Sequence, residues 1–426
     1  MSRSEPSRGY ARYTLGLLAL INVFNFVDRQ AITILFEPIK HDLGLSDAQL
    51  GFVAGAAFAV FYAVLGIPFG RLADVWSRRR LIALGVAAWS AMTVLSGLAR
   101  SFGQLLLARI GVGVGEAAYG PAALAIISDL FPPSRRSTAQ AVFASGVPIG
   151  AGLGVIIGGF VAQHYGWRSA FFLLGLPGLL LALLAWRLRE PPRGSAEGTV
   201  VADVARPGAG RRVREIVFRT PTLRYHFAGL SCIVFAISGF SAWIPSFLRR
   251  YHDFSLGQAG GLAGIVFATA GLVGVMSGGW LADQMARRRA DGRMRLILYG
   301  AALAAPLTVG TLFLEKTGAF IACFWMNAVI SSMWFSPGTS TVHDLVEPRH
   351  RGIAIAIYFF FINILGFALG PLLVGVLSDG VDDLRRAMLI CPAMGLLGAI
   401  ILRFGTRHLE ADRNRALALA AKGDAP

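Results

Sequence analysis

Two adjacent charges, Asp28 and Arg29, sit inside an apolar run from Tyr13 to Phe36. Two more, Arg109 and Glu116, lie inside another such run. Each run is long enough to cross a bilayer, which takes about 20 apolar residues. A charge at the bilayer centre costs roughly 2.5–3.5 kcal/mol on insertion scales, so it marks a functional site by default. The chemistry these residue types offer is proton binding. Low dielectric favours a neutral acid, and a neighbouring arginine favours the carboxylate. Movement of Arg109 toward or away from Asp28 would switch the acid between releasing and holding a proton. Glu116 is the competing acid for the same arginine. The alternative is a fixed salt bridge between helices, although buried ion pairs are poor stability devices.

Helix geometry decides whether these residues can meet. With an inside N-terminus, Asp28 lies about 21 Å from the inner end of its helix at 1.5 Å rise per residue. Arg109 and Glu116 lie roughly 7 and 18 Å from the outer end of theirs on the same rise. Asp28 falls between them in depth. Arg109 and Glu116 are two turns apart and share one face. Arg29 points about 100° away from Asp28 around the helix. It either faces a cavity and binds an anionic headgroup or pairs with another polar group.

The elements that position these charges are legible in composition. The chain has 426 residues, 55% hydrophobic and 15% charged, with mean hydropathy +0.60. Twelve apolar runs are candidate spans: 14–36, 48–70, 81–99, 104–129, 138–163, 169–189, 221–248, 258–285, 294–314, 318–345, 352–379 and 384–404. The fold class is therefore all-α, a polytopic membrane protein with twelve transmembrane helices in two six-helix bundles. The net charge of +16 does not indicate nucleic acid. Most Lys and Arg fall in loops and tails on one side, the positive-inside bias, which places both termini in the cytoplasm against anionic lipid headgroups. In a bacterium this is the inner membrane.

Cys232, Cys323 and Cys391 fall in spans without metal or disulfide spacing, as packing residues. The seven histidines (His41, His164, His226, His252, His343, His350 and His408) lie mostly in loops or at span ends and form no metal set. No phosphate loop of the GxxxxGK[ST] type is present, which argues against ATP-driven work. The expectation is a non-enzyme without cofactor, with protons as coupling ion.

The longest polar stretch, 190–220, has linker composition, with Pro191, Pro192, Gly194, Pro207 and a basic cluster at Arg211, Arg212 and Arg214. It separates bundles at 14–189 and 221–404, flanked by tails at 1–13 and 405–426. The halves repeat each other. Gly70-Arg71-Leu72-Ala73-Asp74 and Arg78-Arg79-Arg80 correspond to Gly279-Trp280-Leu281-Ala282-Asp283 and Arg287-Arg288-Arg289. Asp129 and Arg136 recur as Asp344 and Arg351 at the same spacing. A six-helix unit duplicated in parallel is a known transporter plan, with the substrate site between the halves.

On these segments the chain resembles the major facilitator superfamily over nearly its whole length. Within it, the chain resembles the spinster-type branch through Asn25-Phe26-Val27-Asp28-Arg29, Arg109-Ile110-Gly111-Val112-Gly113-Val114-Gly115-Glu116-Ala117 and Ile127-Ser128-Asp129-Leu130-Phe131-Pro132. Anion–cation symporters carry similar segments. Val147-Pro148 in the fifth span departs from the Gly-Pro motif of the superfamily's antiporters.

The resemblance implies alternating access, a membrane small-molecule or lipid substrate of sphingoid or lysophospholipid type, and a chain that works as a monomer. It also implies a cytoplasmic gate of salt bridges among Asp74, Arg78, Asp129, Arg136, Asp283, Arg287, Asp344 and Arg351, where Gly70 and Gly279 would let helices approach. Candidate substrate-lining residues are Asn25, Arg29, Tyr119, Phe240, Trp243, Trp334, Tyr358 and Asn363. The charged face of the first half and the aromatic residues of the second would make an amphipathic site. A proton-coupled symporter of small organic anions, a broad drug exporter and a non-transporting receptor remain as rival expectations.

Overall fold

The computed structural model describes residues 8–192, 218–346 and 351–415. Most of the expected linker, with its Arg211, Arg212 and Arg214 cluster, lies outside the described residues, as do 1–7 and 416–426. Among the described residues, twelve helices are long and apolar enough to cross a membrane. Spans one to six are Gly9–Ile34, Asp47–Val75, Arg78–Gly97, Phe102–Leu130, Thr138–Tyr165 and Trp167–Trp186. Spans seven to twelve are Pro221–Tyr251, Leu256–Arg288, Gly292–Phe313, Thr317–Leu345, Ile353–Val381 and Leu384–Gly405. No strand occurs among the described residues. In hydrocarbon the backbone must satisfy its own hydrogen bonds, and the helix does so within one segment. Large apolar side chains such as Leu107, Leu183 and Met276 remain exposed along the spans, a surface that lipid can cover.

Local signals set the helix ends. Ser46 caps span two in a capping box, accepting from the Gln49 backbone while the Gln49 side chain accepts from the Ser46 backbone. Ser101 caps span four through the Gln104 N–H. Several spans are interrupted. Span two breaks at Gly55. Span four breaks at Ala118, two residues past Glu116. Span eleven passes through a π-helical stretch, Ile362–Ala368.

The chain divides into two compact units, Met1–Asp203 with Ile244–Ala268, and Val204–Trp243 with Thr269–Pro426. In the first, span three packs on spans four and six, span one on span five, and span two on span four. Small residues permit the contacts that matter for the buried charges. A Cβ on Gly154 of span five would lie 2.5 Å from the Val27 carbonyl of span one. A Cβ on Gly115 would lie 2.6 Å from the Trp89 amide nitrogen of span three. Tyr119 ties span four to span one by donating its hydroxyl to the Leu18 carbonyl. The same unit holds Arg250, whose guanidinium donates to Asp47 at 2.7 and 2.8 Å and to Glu37 at 2.9 Å. Lys40 joins Asp47 at 2.6 Å.

The second unit has a core from spans seven, nine, ten, eleven and twelve, including Leu230, Val234, Met294, Ile297, Val342, Tyr358 and Leu402. His226, near the start of span seven, is fully buried. Its Nε2 faces the Gly338 carbonyl at 2.8 Å, so it belongs to the interior of this unit.

Candidate functional site

Three of the four charges singled out in the sequence are almost fully buried: Asp28, Arg109 and Glu116. They come from the middle of span one and the first helical segment of span four. The structure brings Asp28, Arg109 and Glu116 into electrostatic reach of one another, with Arg29 reaching Glu116 and Arg109, but the pairing differs from expectation. Glu116 is held by Arg29, not by Arg109. Arg29 Nη2 donates to Glu116 Oε2 at 2.6 Å and Nε at 3.2 Å. The guanidinium also lies 4.8, 4.4 and 4.9 Å from the ring centroids of Phe26, Phe58 and Tyr62, within cation–π range. Phe58 and Tyr62 stack on each other at 5.5 Å. Of the two readings of Arg29, the structural partner is thus identified. Its side chain still keeps 23% of its surface exposed.

Arg109 is left over. It interacts with Glu116, Asp28 and Arg29 by charge, yet its Nε and Nη1 have no hydrogen-bond partner. Asp28 Oδ2 accepts the Thr93 hydroxyl at 3.1 Å, while Oδ1 has no partner. Asn25 lies beside Glu116. An acid and a guanidinium therefore stand close together, each with unused hydrogen-bonding capacity.

The other candidate lining residues are mostly packed. Tyr119, Trp243 and Tyr358 are buried. Trp243 donates its indole N–H to the Pro371 carbonyl at 2.9 Å, and Tyr358 sits in the second unit's core. Phe240 is buried and packs edge-to-face on Phe324. Asn363 lies in the π-helical stretch and donates to the Phe359 carbonyl at 2.8 Å. Trp334 is partly buried against the same core. These residues offer a ligand little surface here; Arg29 and Trp334 offer more.

The expected gate residues form two matching clusters, one per unit. Arg78 pairs with Asp129, and Arg293 pairs with Asp344, both 51 residues apart. The counterpart of Arg78 is therefore Arg293 rather than Arg287. The helix of span eight runs on through Arg288, whereas span two ends at Val75 and span three begins at Arg78 itself. Asp283 joins Arg293 at 3.6 Å. Arg136 donates to the Ser128 carbonyl and Arg351 to the His343 carbonyl, each eight residues back. Both thus cap the end of the preceding span. Asp74 is exposed and makes no ion pair among the described residues. A Cβ on Gly70 would meet nothing within 4 Å, and one on Gly279 only Ser336 at 3.6 Å. Close approach at those two glycines is therefore not what the structure contains.

Sequence reading missed Glu190. Its carboxylate accepts from Ser77 at 2.7 Å, the Arg78 backbone at 2.9 Å and Arg78 Nε at 3.2 Å. Partial burial works against its ionisation, but those hydrogen bonds prevail and hold it below the usual glutamate range. Its place next to the linker hid it. Thr93, Phe58 and Tyr62 were also missed, because nothing in an apolar run marks which neighbour faces a charge on another helix.

The family model described as Major Facilitator Superfamily matches residues 18–364 and 289–423. The chain belongs to that superfamily. Its spinster branch is the part it resembles throughout. The chain is 27% identical to human protein spinster homolog 1, over 96% of this chain and 83% of that one. It is 28% identical to protein spinster of Drosophila melanogaster, over 87% of this chain and 62% of that one. It is also 33% identical to an MFS-type efflux pump of Mycolicibacterium smegmatis, over 93% and 92%. Crystal structures of a bacterial homologue of the human lysosomal transporter spinster superpose with TM-scores of 0.85 and 0.83 at 26% identity. They cover 96% of this chain and are inward-facing, unoccupied and occupied respectively. The fold is that of the superfamily, and the protein is a multi-pass membrane transporter of the spinster branch.

Proposed function

We infer that this protein is a proton-coupled secondary transporter working by alternating access on an amphiphilic organic substrate. The observation that carries this reading is the buried set on spans one and four. Asp28 has two available partners: a proton at Oδ1, and the Arg109 guanidinium with its unbonded nitrogens. Exchange between them changes the charge inside the membrane, which is the event a proton-driven cycle requires. Glu116 also keeps Oε1 without a partner, but its Oε2 is ion-paired with Arg29, whereas Asp28 has no such ion pair among the described residues; this favours Asp28 as the site of proton exchange. Glu116 and Arg29 fix the geometry around it.

The partly exposed Arg29, flanked by aromatic rings, suits an anionic headgroup carried on an apolar body. A sphingoid or lysophospholipid species has that form. The positive-inside bias favours cytoplasmic termini. Uptake of a labelled lysophospholipid into proteoliposomes, with and without an imposed pH gradient, tests this. Gradient-dependent uptake is expected; no flux under either condition would contradict a lipid substrate. The likeness to an MFS-type efflux pump favours a second reading, export of unrelated drugs. It would appear as resistance to several cationic compounds in cells expressing the protein. A small organic anion is the third candidate, and the same vesicles screen carboxylates.

A further inference from the structure

Thr93 lies on span three, 65 residues from Asp28 in sequence, and is 1% exposed. Buried serine and threonine hydroxyls in helices ordinarily donate to the carbonyl four residues back. That is what Ser96, Thr308, Thr311 and Thr341 do here, at 2.8–2.9 Å. Thr93 instead donates its one hydroxyl proton to Asp28 Oδ2 at 3.1 Å. The bond occupies one carboxylate oxygen and leaves Oδ1, which has no partner, as the oxygen open to a proton. Span three is held close enough for this because it packs directly on span four at Gly115 and Trp89.

We propose that Thr93 is a positioning residue for the proton site: its hydroxyl stabilises ionised Asp28 and directs protonation to Oδ1. The inference rests on the proton-coupling reading above. The charged groups facing Asp28 are Arg109 and Glu116 of span four. Arg29, the other charge on span one, is turned to Glu116. Residues 145–163 of span five and 169–185 of span six carry no titratable side chain. Span three supplies the Thr93 hydroxyl. A hydroxyl donating to a carboxylate favours the charged form over the neutral one. Its removal therefore raises the pH at which Asp28 takes up its proton.

The test is an infrared titration of the reconstituted, substrate-free protein, following the C=O stretch of protonated carboxyl groups. The band belonging to Asp28 is assigned by its loss in Asp28→Asn. Thr93→Val keeps the side-chain shape and removes the donor. It should raise the midpoint by about one pH unit, roughly a tenfold gain in proton affinity. Thr93→Ala should shift it in the same direction, which guards against a packing defect peculiar to valine. Thr93→Ser restores the donor and should titrate close to wild type. An unchanged midpoint in both Val and Ala variants would overturn the role of Thr93 while leaving the proton site standing. A wild-type spectrum in which no titrating band is lost in Asp28→Asn would overturn the proton-site reading itself.

Discussion

On the proposed reading the proton chemistry falls to Asp28 and Arg109; both, like Glu116 Oε1, keep buried polar atoms without a hydrogen-bond partner, but Glu116 is ion-paired with Arg29. Asp28→Asn keeps the shape and the Thr93 contact but cannot exchange a proton. It should abolish pH-gradient-driven transport while leaving the helical content and monodispersity of the purified protein unchanged. Arg109→Ala should reduce transport more than Arg109→Lys, since lysine keeps a positive charge beside Asp28; equal wild-type rates in both would make the arginine structural. Arg29→Lys should be damaging despite the retained charge. A lysine cannot reproduce the two hydrogen bonds to Glu116 together with the flat stacking on Phe26, Phe58 and Tyr62. These charges stood out in the sequence because charge inside an apolar run is costly. Their partners did not. The swap of Glu116 from Arg109 to Arg29 depends on which way side chains turn around two helices. The rings of Phe58 and Tyr62 come from span two, whose charges, Asp47, Arg71 and Asp74, lie toward its ends and do not mark these rings.

At the scale of elements, close helix contacts and capping clusters hold the charges in register. Gly154→Leu should drive span five away from span one, with a loss of about 1–3 kcal/mol typical of overpacking, read as a lower melting temperature in detergent. Arg293→Ala should weaken the second unit's loop cluster, whereas Arg287→Ala should change melting little; the reverse order would contradict the repeat alignment set by Asp129 and Asp344. Glu190 gives a pH test. Its folded pKa is depressed, so its contribution is fully present above the ordinary glutamate value of about 4.3. It is lost as pH falls through the lower folded value. Wild-type and Glu190→Gln proteins should therefore differ in melting temperature by a constant amount from about pH 6 to 8 and converge only in acid. The twelve spans were legible because apolar length alone decides them. The repeat was legible in its Gly-x-Leu-Ala-Asp segments. Its arginine register was not, because the extra helical length of span eight moves the partner of Asp344 from the Arg287 cluster to Arg293.

For the whole molecule, family and fold follow from the duplicated pattern and from the matches along nearly the full chain. Arg78 ties Asp129 and Glu190 together within the first unit, so Arg78→Ala is expected to lower the melting temperature of the purified protein. The Arg250 cluster with Glu37 and Asp47 was invisible in the sequence, since it joins residues more than 200 positions apart. The most direct test of the central claim is proton movement itself. Proteoliposomes holding a trapped pH-sensitive dye would be given a lysophospholipid gradient without a pH gradient. Substrate-driven acidification or alkalinisation in the wild type, absent in Asp28→Asn, is the predicted result. The same pH change in both proteins, or substrate flux with no pH change in the wild type, would contradict proton coupling at Asp28.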